Sequence, residues 1–288
     1  MPEAHAHASA SGLFMLGSDL PVHRLGFGAM RVTGRGVLGR PADPTAARTL
    51  LRRVVELGVT LIDTADSYGP GVSEELIAEA LHPYPAGLVI ATKGGFLRRG
   101  AAWIAHGRPA HLRQALEGSL RRLRLDRIDL YQLHTVDPRV PIEESMGVLV
   151  DLQADGKIRH IGVSNVTPAE LSRARGVARV VSVQNRYSLA DRESDGVVEA
   201  CARDGLGFLP WYPLATGSLA RARTGALARV CRDHQATSAQ VALAWLLARS
   251  PAMLPIPGTS SVAHLEENVA AAQIRLSAEE FEQLAEDR

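Results

Sequence analysis

The chain has 288 residues, of which 46% are hydrophobic and 22% are charged, an ordinary composition for a soluble globular enzyme. Its 32 basic and 31 acidic residues leave a formal net charge of +1, so we expect neither nucleic acid nor an anionic membrane as a partner. Cys201 and Cys231 lack a CxxC spacing, which argues against a disulfide framework or a zinc site and favours a reducing compartment.

The N-terminal segment is rich in Ala, His and Ser and has neither a basic head nor an apolar core. We therefore predict a flexible tail over residues 1–11 rather than a secretory signal, followed by a single domain over residues 12–288. His5 and His7 fit such a tail better than a metal site, and no metal is expected. No apolar run approaches the ~20 residues that span a bilayer, so the expected location is the cytoplasm.

A β-hairpin is predicted after the tail, because two apolar segments flank Gly17-Ser-Asp19. Short apolar runs then alternate with segments of helical periodicity. The predicted strands span residues 24–29, 60–63, 87–92, 128–134, 158–164, 180–184, 207–211 and 253–257. The predicted helices span residues 44–57, a segment beginning at 73, and residues 109–123, 142–154, 168–175, 194–203, 237–249, 261–271 and 277–286.

This repeated alternation predicts a (β/α)8 TIM barrel with an added N-terminal hairpin and C-terminal helix. The alternative is a doubly wound sheet, which normally carries a Gly-x-Gly-x-x-Gly turn after its first strand. Gly26-Phe-Gly28 is followed by Ala-Met-Arg, so that fingerprint is incomplete. A long loop over residues 93–109 is expected to cover the site of the barrel.

Ionisable residues stand at the ends of three successive predicted strands. Asp63 ends the first, with Tyr68 in the following loop, and Lys93 and His134 end the next two. Taken singly, each is more often a solvated loop residue. Because a parallel barrel brings the carboxyl ends of its strands together, the combination predicts a catalytic site.

Further motifs share the order and spacing found in the aldo-keto reductases. They are Asp63-Thr-Ala-Asp-Ser-Tyr68-Gly69, Thr92-Lys93, Leu133-His134, Gly162-Val-Ser164-Asn165, Gln184-Asn185-Arg-Tyr187, Trp211-Tyr-Pro213-Leu214, and Ile256-Pro-Gly258 through Glu267-Asn268. Over residues 13–284 the chain resembles this family, and it is most similar to bacterial members that reduce small aldehydes, including pyridoxal. The resemblance implies a barrel that binds NADP(H) across its carboxyl end and a catalytic tetrad of Asp63, Tyr68, Lys93 and His134.

The chemistry of these four residue types fits carbonyl reduction. Hydride addition creates an alkoxide, which needs a proton, and the Tyr68 phenol can supply it. We expect the ammonium of Lys93 to lower the pKa of Tyr68 and Asp63 to hold Lys93 in place. A neutral imidazole at His134 can orient the carbonyl.

By the family's pattern, the residues that would hold the cofactor lie along the chain from Gly28 to Asn268. They are Gly28, Ala29, Met30, Asp63, Ser164, Asn165, Gln184, Trp211, Tyr212, Pro213, Leu214, Gly217, Ile256, Pro257, Gly258, Thr259, Ser260, His264, Glu267 and Asn268. Trp211 takes the place of the aromatic ring that stacks on the nicotinamide. The substrate pocket is expected to be open, because the chain stops soon after its last helix, and to be lined by Met30, Tyr68, Trp103, His134 and Trp211.

The adenosine end departs from the family pattern. Pro257-Gly258-Thr259-Ser260-Ser261 stands where many members have a Lys after the Pro, and His264 stands where many have an Arg. NADP(H) is the expected cofactor, with NAD(H) as a second possibility. Hydroxyls at a helix N-terminus still favour a phosphate.

Two alternative functions are consistent with the sequence. Lys93 on a barrel strand could form a Schiff base, as in aldolase-type lyases. Some relatives act as redox-sensing regulatory subunits that bind the nicotinamide with little turnover, and an intact tetrad does not exclude that role. The sequence predicts neither the carbonyl substrate nor the oligomeric state.

Overall fold

Strands and helices alternate along the chain in the computed structural model, which describes residues 6–214 and 225–286. The strands are β1 (Leu13–Leu16), β2 (Leu20–His23), β3 (Phe27–Gly28), β4 (Leu61–Asp63), β5 (Val89–Gly94), β6 (Phe96–Arg99), β7 (Ala102–Ala105), β8 (Ile128–Leu133), β9 (Ile158–Ser164), β10 (Val180–Gln184) and β11 (Gly207–Phe208). The helices are α1 (Pro44–Glu56), α2 (Val72–Leu81), α3 (Pro109–Leu123), α4 (Ile142–Ala154), α5 (Pro168–Val177), α6 (Asp195–Asp204), α7 (Gly225–Asp233), α8 (Ser238–Arg249), α9 (Val262–Ala270) and α10 (Ala278–Glu286).

Seven strands form one parallel sheet in the order β11-β10-β9-β8-β5-β4-β3. Residues 253–257 close this sheet into a barrel, because they form hydrogen bonds with the strands on both sides. Leu254 N–H donates to Phe208 O on one side, and Gly26 and Gly28 donate to Pro255 O and Pro257 O on the other. The predicted TIM barrel is thus confirmed, with α-helices around a closed parallel sheet.

The predicted strand over residues 253–257 is wrong in one respect: it is not a regular strand. Only a single bridge, between Phe208 and Met253, is formed there. Pro255 and Pro257 have no N–H and can accept hydrogen bonds but cannot donate them, so a full ladder cannot form. The predicted strands over 24–29 and 207–211 are likewise reduced to two residues each, next to this closing segment.

The N-terminal hairpin of β1 and β2 closes the amino end of the barrel. Leu16, Leu20 and Val22 pack into an interior cluster with residues from the barrel strands, among them Leu61 and Leu130. A larger cluster fills the layer between the sheet and the helices. The site is therefore confined to the carboxyl end of the barrel.

Part of the segment expected as a flexible tail is packed against the barrel. Residues Ala8–Ser11 form a 3-10 helix. Ala8 is buried and its N–H donates to Leu57 O. This contact depends on partners distant in sequence, which composition does not reveal.

The helix starts follow from local capping. Asp43 accepts from Ala46 N–H ahead of Pro44 in α1, and Thr167 forms a capping box with Glu170 at the start of α5. These signals place most helices within two residues of their predicted limits. The helix α7 and the β6–β7 hairpin inside the expected long loop were not predicted either. No helix in the described ranges is both long and apolar enough to cross a membrane.

Candidate active site

A buried ion pair lies at the carboxyl ends of β4 and β5. Lys93 Nζ donates to Asp63 Oδ2 at 2.7 Å and to Thr64 O at 2.8 Å. The Lys93 side chain is completely buried and that of Asp63 is 4% exposed. Burial lowers the pKa of Lys93, and the Asp63 carboxylate opposes that change. The two adjacent parallel strands β4 and β5 therefore place Asp63 and Lys93 side by side in the protein interior.

Two amides hold the second oxygen of Asp63. Gln184 Nε2 lies 2.8 Å from Asp63 Oδ1, and Gln132 Nε2 lies 3.4 Å from the same atom. Gln132 was not predicted as a site residue. A polar residue between Tyr131 and Leu133 in a buried strand was the signal that could have found it, since buried amides need partners.

Tyr68 lies above this pair, in the loop after β4. Its ring centroid is 5.3 Å from Lys93 Nζ, and the residue is 7% exposed. The expectation that its pKa is lowered is wrong. Burial, followed by the negative charges of Asp63 and Asp66, raises the pKa of Tyr68 well above its usual value. The physical reason is that a buried phenolate would lack hydration and would lie near two carboxyl groups.

His134 follows β8 and faces Tyr68. The two ring centroids are 5.8 Å apart, and the imidazole is 4.8 Å from the Phe96 ring. Burial, and next the positive charge of Lys93, lower the pKa of His134 well below its usual value. The imidazole is therefore neutral near pH 7, in the form expected for carbonyl orientation.

These side chains form the floor of a cavity of about 730 Å³. The predicted pocket residues Met30, Tyr68, Trp103, His134 and Trp211 all line it. Sequence reasoning missed four further lining residues, which are Arg31, Val37, Phe96 and Thr135. The walls are mainly apolar and aromatic, as in most small-molecule sites.

The β6–β7 hairpin supplies one wall of this cavity through Phe96 and Trp103. Arg98 fixes the hairpin, because its guanidinium lies 3.9 Å from the Trp103 ring centroid. The same guanidinium donates to Val37 O at 3.1 Å and to Ser67 O at 3.4 Å. This contact joins the hairpin to the loop that carries Tyr68. The loop that was predicted to cover the site is therefore held in place by Arg98.

Most of the predicted cofactor residues line the same cavity. These are Gly28, Met30, Asp63, Ser164, Asn165, Gln184, Trp211, Tyr212, Pro213, Leu214, Ile256, Pro257 and Gly258. Ala29 does not line it; it is buried and its carbonyl accepts from Ser73 Oγ. Gly217 lies outside the described residues.

The residues predicted for the adenosine end lie beyond the cavity, around the start of α9. Thr259 is buried and its Oγ1 accepts from Ser261 N–H, while His264 is exposed. The others are Ser260, Glu267 and Asn268, of which Asn268 is buried. Hydroxyls and one imidazole thus surround this helix N-terminus.

Asn165 connects the cavity wall to the strand ends. It adopts a left-handed backbone conformation with φ of 57°. Its Nδ2 donates to His134 O at 3.0 Å, and its Oδ1 accepts from Trp211 Nε1 at 3.0 Å. The amide expected to contact a cofactor therefore also orients the indole of Trp211.

No group of three or more His, Cys, Asp or Glu side chains within residues 6–214 and 225–286 could hold a metal ion. Amides, a hydroxyl and an indole at neighbouring strand ends suit an organic cofactor with a planar amide-bearing ring.

Comparisons with known proteins agree with this geometry. The model of the aldo/keto reductase family matches residues 24–287. An uncharacterized oxidoreductase of Schizosaccharomyces pombe is 50% identical over 281 residues, which cover 97% of this chain and 91% of the relative. The pyridoxine 4-dehydrogenase of Escherichia coli is 46% identical over 278 residues, covering 94% and 96%.

A solved structure shows the same architecture. The aldo-keto reductase of Klebsiella pneumoniae in complex with NADPH has a TM-score of 0.80 and 29% identity, with 94% of this chain and 93% of that chain covered. The family resemblance noted in the sequence is confirmed by these matches. The chain belongs to the aldo/keto reductase family of oxidoreductases.

Proposed function

We propose that this enzyme reduces a small aldehyde or ketone to the alcohol with NADPH. The observation that carries the proposal is the buried Lys93–Asp63 pair, 2.7 Å apart, beneath a phenol and a neutral imidazole that both face one cavity. A proton donor, a fixed positive charge and a hydrogen-bond donor are the groups that a developing alkoxide needs.

Tyr68 is the proton donor in this account. Its raised pKa keeps the phenol protonated near pH 7, so the form that can give a proton is always present. When the phenol loses that proton to the carbonyl oxygen, the ammonium of Lys93 stabilises the phenolate. Asp63 is a positioning residue, since it acts by holding Lys93. His134 orients the carbonyl through an imidazole N–H.

The chain's own residues can hold the nicotinamide cofactor, which supplies the hydride when bound. Ser164, Asn165 and Gln184 provide hydrogen-bonding groups for the carboxamide, and Trp211 provides a ring face beside them. The remaining lining residues at the ends of β3 and of the closing segment would border the ribose and pyrophosphate. The NADPH complex of the Klebsiella relative supports NADP(H) as the cofactor, with NAD(H) as the weaker one.

The substrate class follows from the cavity walls. Phe96, Trp103 and Trp211 surround the reacting groups, and Met30 is 37% exposed beside them. We infer a planar, largely apolar carbonyl compound. The E. coli relative, named as a pyridoxine dehydrogenase, supports an aromatic aldehyde of the pyridoxal type. The partner is a small molecule, and no contact with nucleic acid or membrane is part of the proposal.

The geometry disfavours a Schiff-base lyase. Lys93 Nζ is enclosed by Asp63 and Thr64 at 2.7 and 2.8 Å, and the residue is fully buried below the cavity lining. A carbonyl carbon has no approach to that nitrogen. The redox-sensing role differs from the proposal in turnover, so kinetics separate the two.

Steady-state oxidation of NADPH with a panel of aldehydes tests the proposal. The panel contains benzaldehyde, pyridoxal and glyceraldehyde, and borohydride trapping is run in parallel. We expect sustained turnover, fastest with the aromatic aldehydes, and no trapped adduct. NADPH binding without turnover on any aldehyde would support the sensor role instead, and a borohydride-trapped Lys93 adduct would support the lyase.

A further inference from the structure

A glycine-containing loop over residues 33–40 is joined to the segment that carries Tyr68. Gly39 N–H donates to Gly69 O at 3.0 Å, and Gly69 N–H donates to Val37 O at 3.3 Å. Because Gly69 directly follows Tyr68, these two hydrogen bonds fix the loop beside the proposed proton donor.

Val37 in this loop has a backbone conformation that valine rarely adopts. Its φ is 59°, which lies in the left-handed region. A β-branched side chain is strained there, because its Cβ crowds the neighbouring backbone, whereas glycine adopts the same conformation without that cost. Glycines stand close by at Gly34, Gly36 and Gly39, so a glycine at position 37 would suit the loop better than valine does.

The surrounding structure holds Val37 in this conformation. Val37 N–H donates to Gly34 O at 3.0 Å. Besides the bond from Gly69, Val37 O accepts from Arg98 Nη1 at 3.1 Å, and Arg98 Nη2 donates to Gly36 O at 3.2 Å. Both backbone polar groups of Val37 are therefore paired. A strained conformation persists where neighbouring contacts determine it in this way.

The strained residue lies at the cavity. Val37 is half-buried and lines the cavity together with Tyr68 and Trp103. Asn165 and Tyr212, with φ of 57° and 61°, also line it. Strained backbone conformations cluster at functional sites, where they serve the site at a cost in stability. At position 37 the isopropyl group fills space in the cavity that a glycine would leave open.

We propose that Val37 is a specificity-determining residue that sets the upper size limit of the carbonyl substrate. The inference rests on the proposed function and narrows its substrate class to carbonyl compounds with a single ring. A flexible wall would move aside for a larger compound. The hydrogen bonds to Val37 from the Tyr68 segment and from Arg98 prevent this, so a second fused ring meets the isopropyl group.

Melting temperatures of two variants test the strain. Where φ is ordinary, glycine is less stable than alanine, and where φ is left-handed the order is reversed. Val37→Gly should therefore melt at a higher temperature than Val37→Ala. Arg124, which has φ of 56° at the end of α3, is the matched control away from the cavity, and Arg124→Gly should likewise melt above Arg124→Ala. The opposite order at position 37 alone would contradict the held conformation and overturn the proposal.

The kinetic test compares 2-naphthaldehyde with benzaldehyde, which carry the same reactive group and differ by one fused ring. Val37→Ala and Val37→Gly should raise the ratio of their kcat/KM values by about tenfold, the lower end of what one methylene changes in an apolar pocket. Val37→Thr keeps the size and branching of valine and should keep the wild-type ratio, as should Arg124→Gly. A wild-type ratio in both smaller variants would overturn the proposal. If one of them does not fold, the other gives the answer.

Binding of the product alcohols separates this proposal from the proposed function. An alcohol and NADPH cannot react with each other, because both are already reduced. Dissociation constants of 2-naphthalenemethanol and benzyl alcohol for the NADPH complex, measured by calorimetry, should show the same relative gain for the larger alcohol in Val37→Ala and Val37→Gly. A wild-type enzyme that reduces no aldehyde refutes the function, and the alcohol constants still test Val37. An enzyme that reduces aldehydes while the ratio of alcohol constants is the same in all variants refutes only the role of Val37.

Discussion

Lys93 Nζ lies 2.7 Å from Asp63 Oδ2, with 0% and 4% of the two side chains exposed. Each charge is therefore balanced by the other in a space that water hardly reaches. Removing one partner of such a pair leaves the other buried and uncompensated, which costs far more than the loss of a surface pair.

Lys93→Met should thus destabilise the fold by about 3–5 kcal/mol, and adding Asp63→Asn should recover much of that loss. Urea unfolding of the single and double variants gives the free energies. Lys157→Met is the matched control, because Lys157 pairs with Glu117 at the surface and should lose much less stability. Additive losses in the double variant would show that the two charges do not depend on each other.

Asp66→Asn should change how stability depends on pH. The pKa of Asp66 is about 8 in the folded protein and near 3.8 in the unfolded chain, so the folded state binds the extra proton between these values. Stability of the wild type should then fall relative to Asp66→Asn as pH rises from 3.8 towards 8, by at most about 1.4 kcal/mol per pH unit.

Asp137→Asn provides a control of opposite sign. The hydrogen bond from Arg139 lowers the pKa of Asp137, so its stabilising effect is present above the unfolded value and is lost as pH falls through the acid range. Between pH 5 and pH 8, which lies above that acid range, the difference in unfolding free energy between Asp137→Asn and the wild type should not change with pH. If the unfolding free-energy difference between Asp66→Asn and the wild type is also independent of pH, the burial of the Asp66 carboxyl is contradicted.

Arg98→Ala should loosen the wall of the cavity. It removes the contact with the Trp103 ring and the hydrogen bonds to Val37 O and Ser67 O. We expect KM for an aromatic aldehyde to rise about tenfold, equivalent to about 1.4 kcal/mol, with a smaller change in kcat. Arg98→Lys should not restore KM, since an ammonium lacks the planar fork.

Arg99→Ala is the control for this experiment, because Arg99 is the next residue of β6 and is exposed. Its KM should match the wild type. If Arg98→Ala and Arg99→Ala behave alike in steady-state kinetics, the hairpin does not depend on the Arg98 anchor.

The preference for NADPH over NADH should be modest. Between Pro257 and Asn268 the sequence has no Arg or Lys, so His264 and the hydroxyls of Thr259 and Ser260 are the groups predicted to bind the phosphate. The preference should fall further in His264→Ala. Dissociation constants of both cofactors, for the wild type and His264→Ala, measure this.

A large preference that survives His264→Ala would point to another cation. Arg275 is poorly placed for that role, because its guanidinium donates to Ala272 O and Ala10 O. Arg31 is better placed, because it lines the cavity next to Gly258.

The central strands were the easiest part to predict. β9 and β10 match their predicted limits, because the apolar residues of each lie between clear helix signals. The position of the closing segment 253–257 was predicted correctly. Its hydrogen bonding was not, because that depends on two prolines and on partners far away in the chain. Residues Phe96–Ala105 contain a hairpin whose anchor, Arg98, contacts carbonyls distant in sequence.

In the site, too, the features set by local sequence were predicted and those set by contacts between distant residues were not. Strand ends predicted that Asp63, Lys93 and His134 would meet, since parallel strands end at one face. The pKa of Tyr68 was predicted in the wrong direction, because the burial of the phenol and its position near two carboxyl groups are properties of packing. The Ser67–His134 contact joins residues 67 positions apart in the chain, so it depends on how two loops pack.

The central claim is that Tyr68 gives its proton to the substrate, and Tyr68→Phe tests it most directly. Single-turnover reduction of an aromatic aldehyde by bound NADPH should slow by about 10²–10⁴-fold, with NADPH affinity within a few-fold of the wild type. Tyr84→Phe, which removes a hydroxyl that donates to Leu123 O away from the cavity, should react at the wild-type rate. A Tyr68→Phe enzyme that keeps more than about a tenth of the wild-type rate would contradict the account.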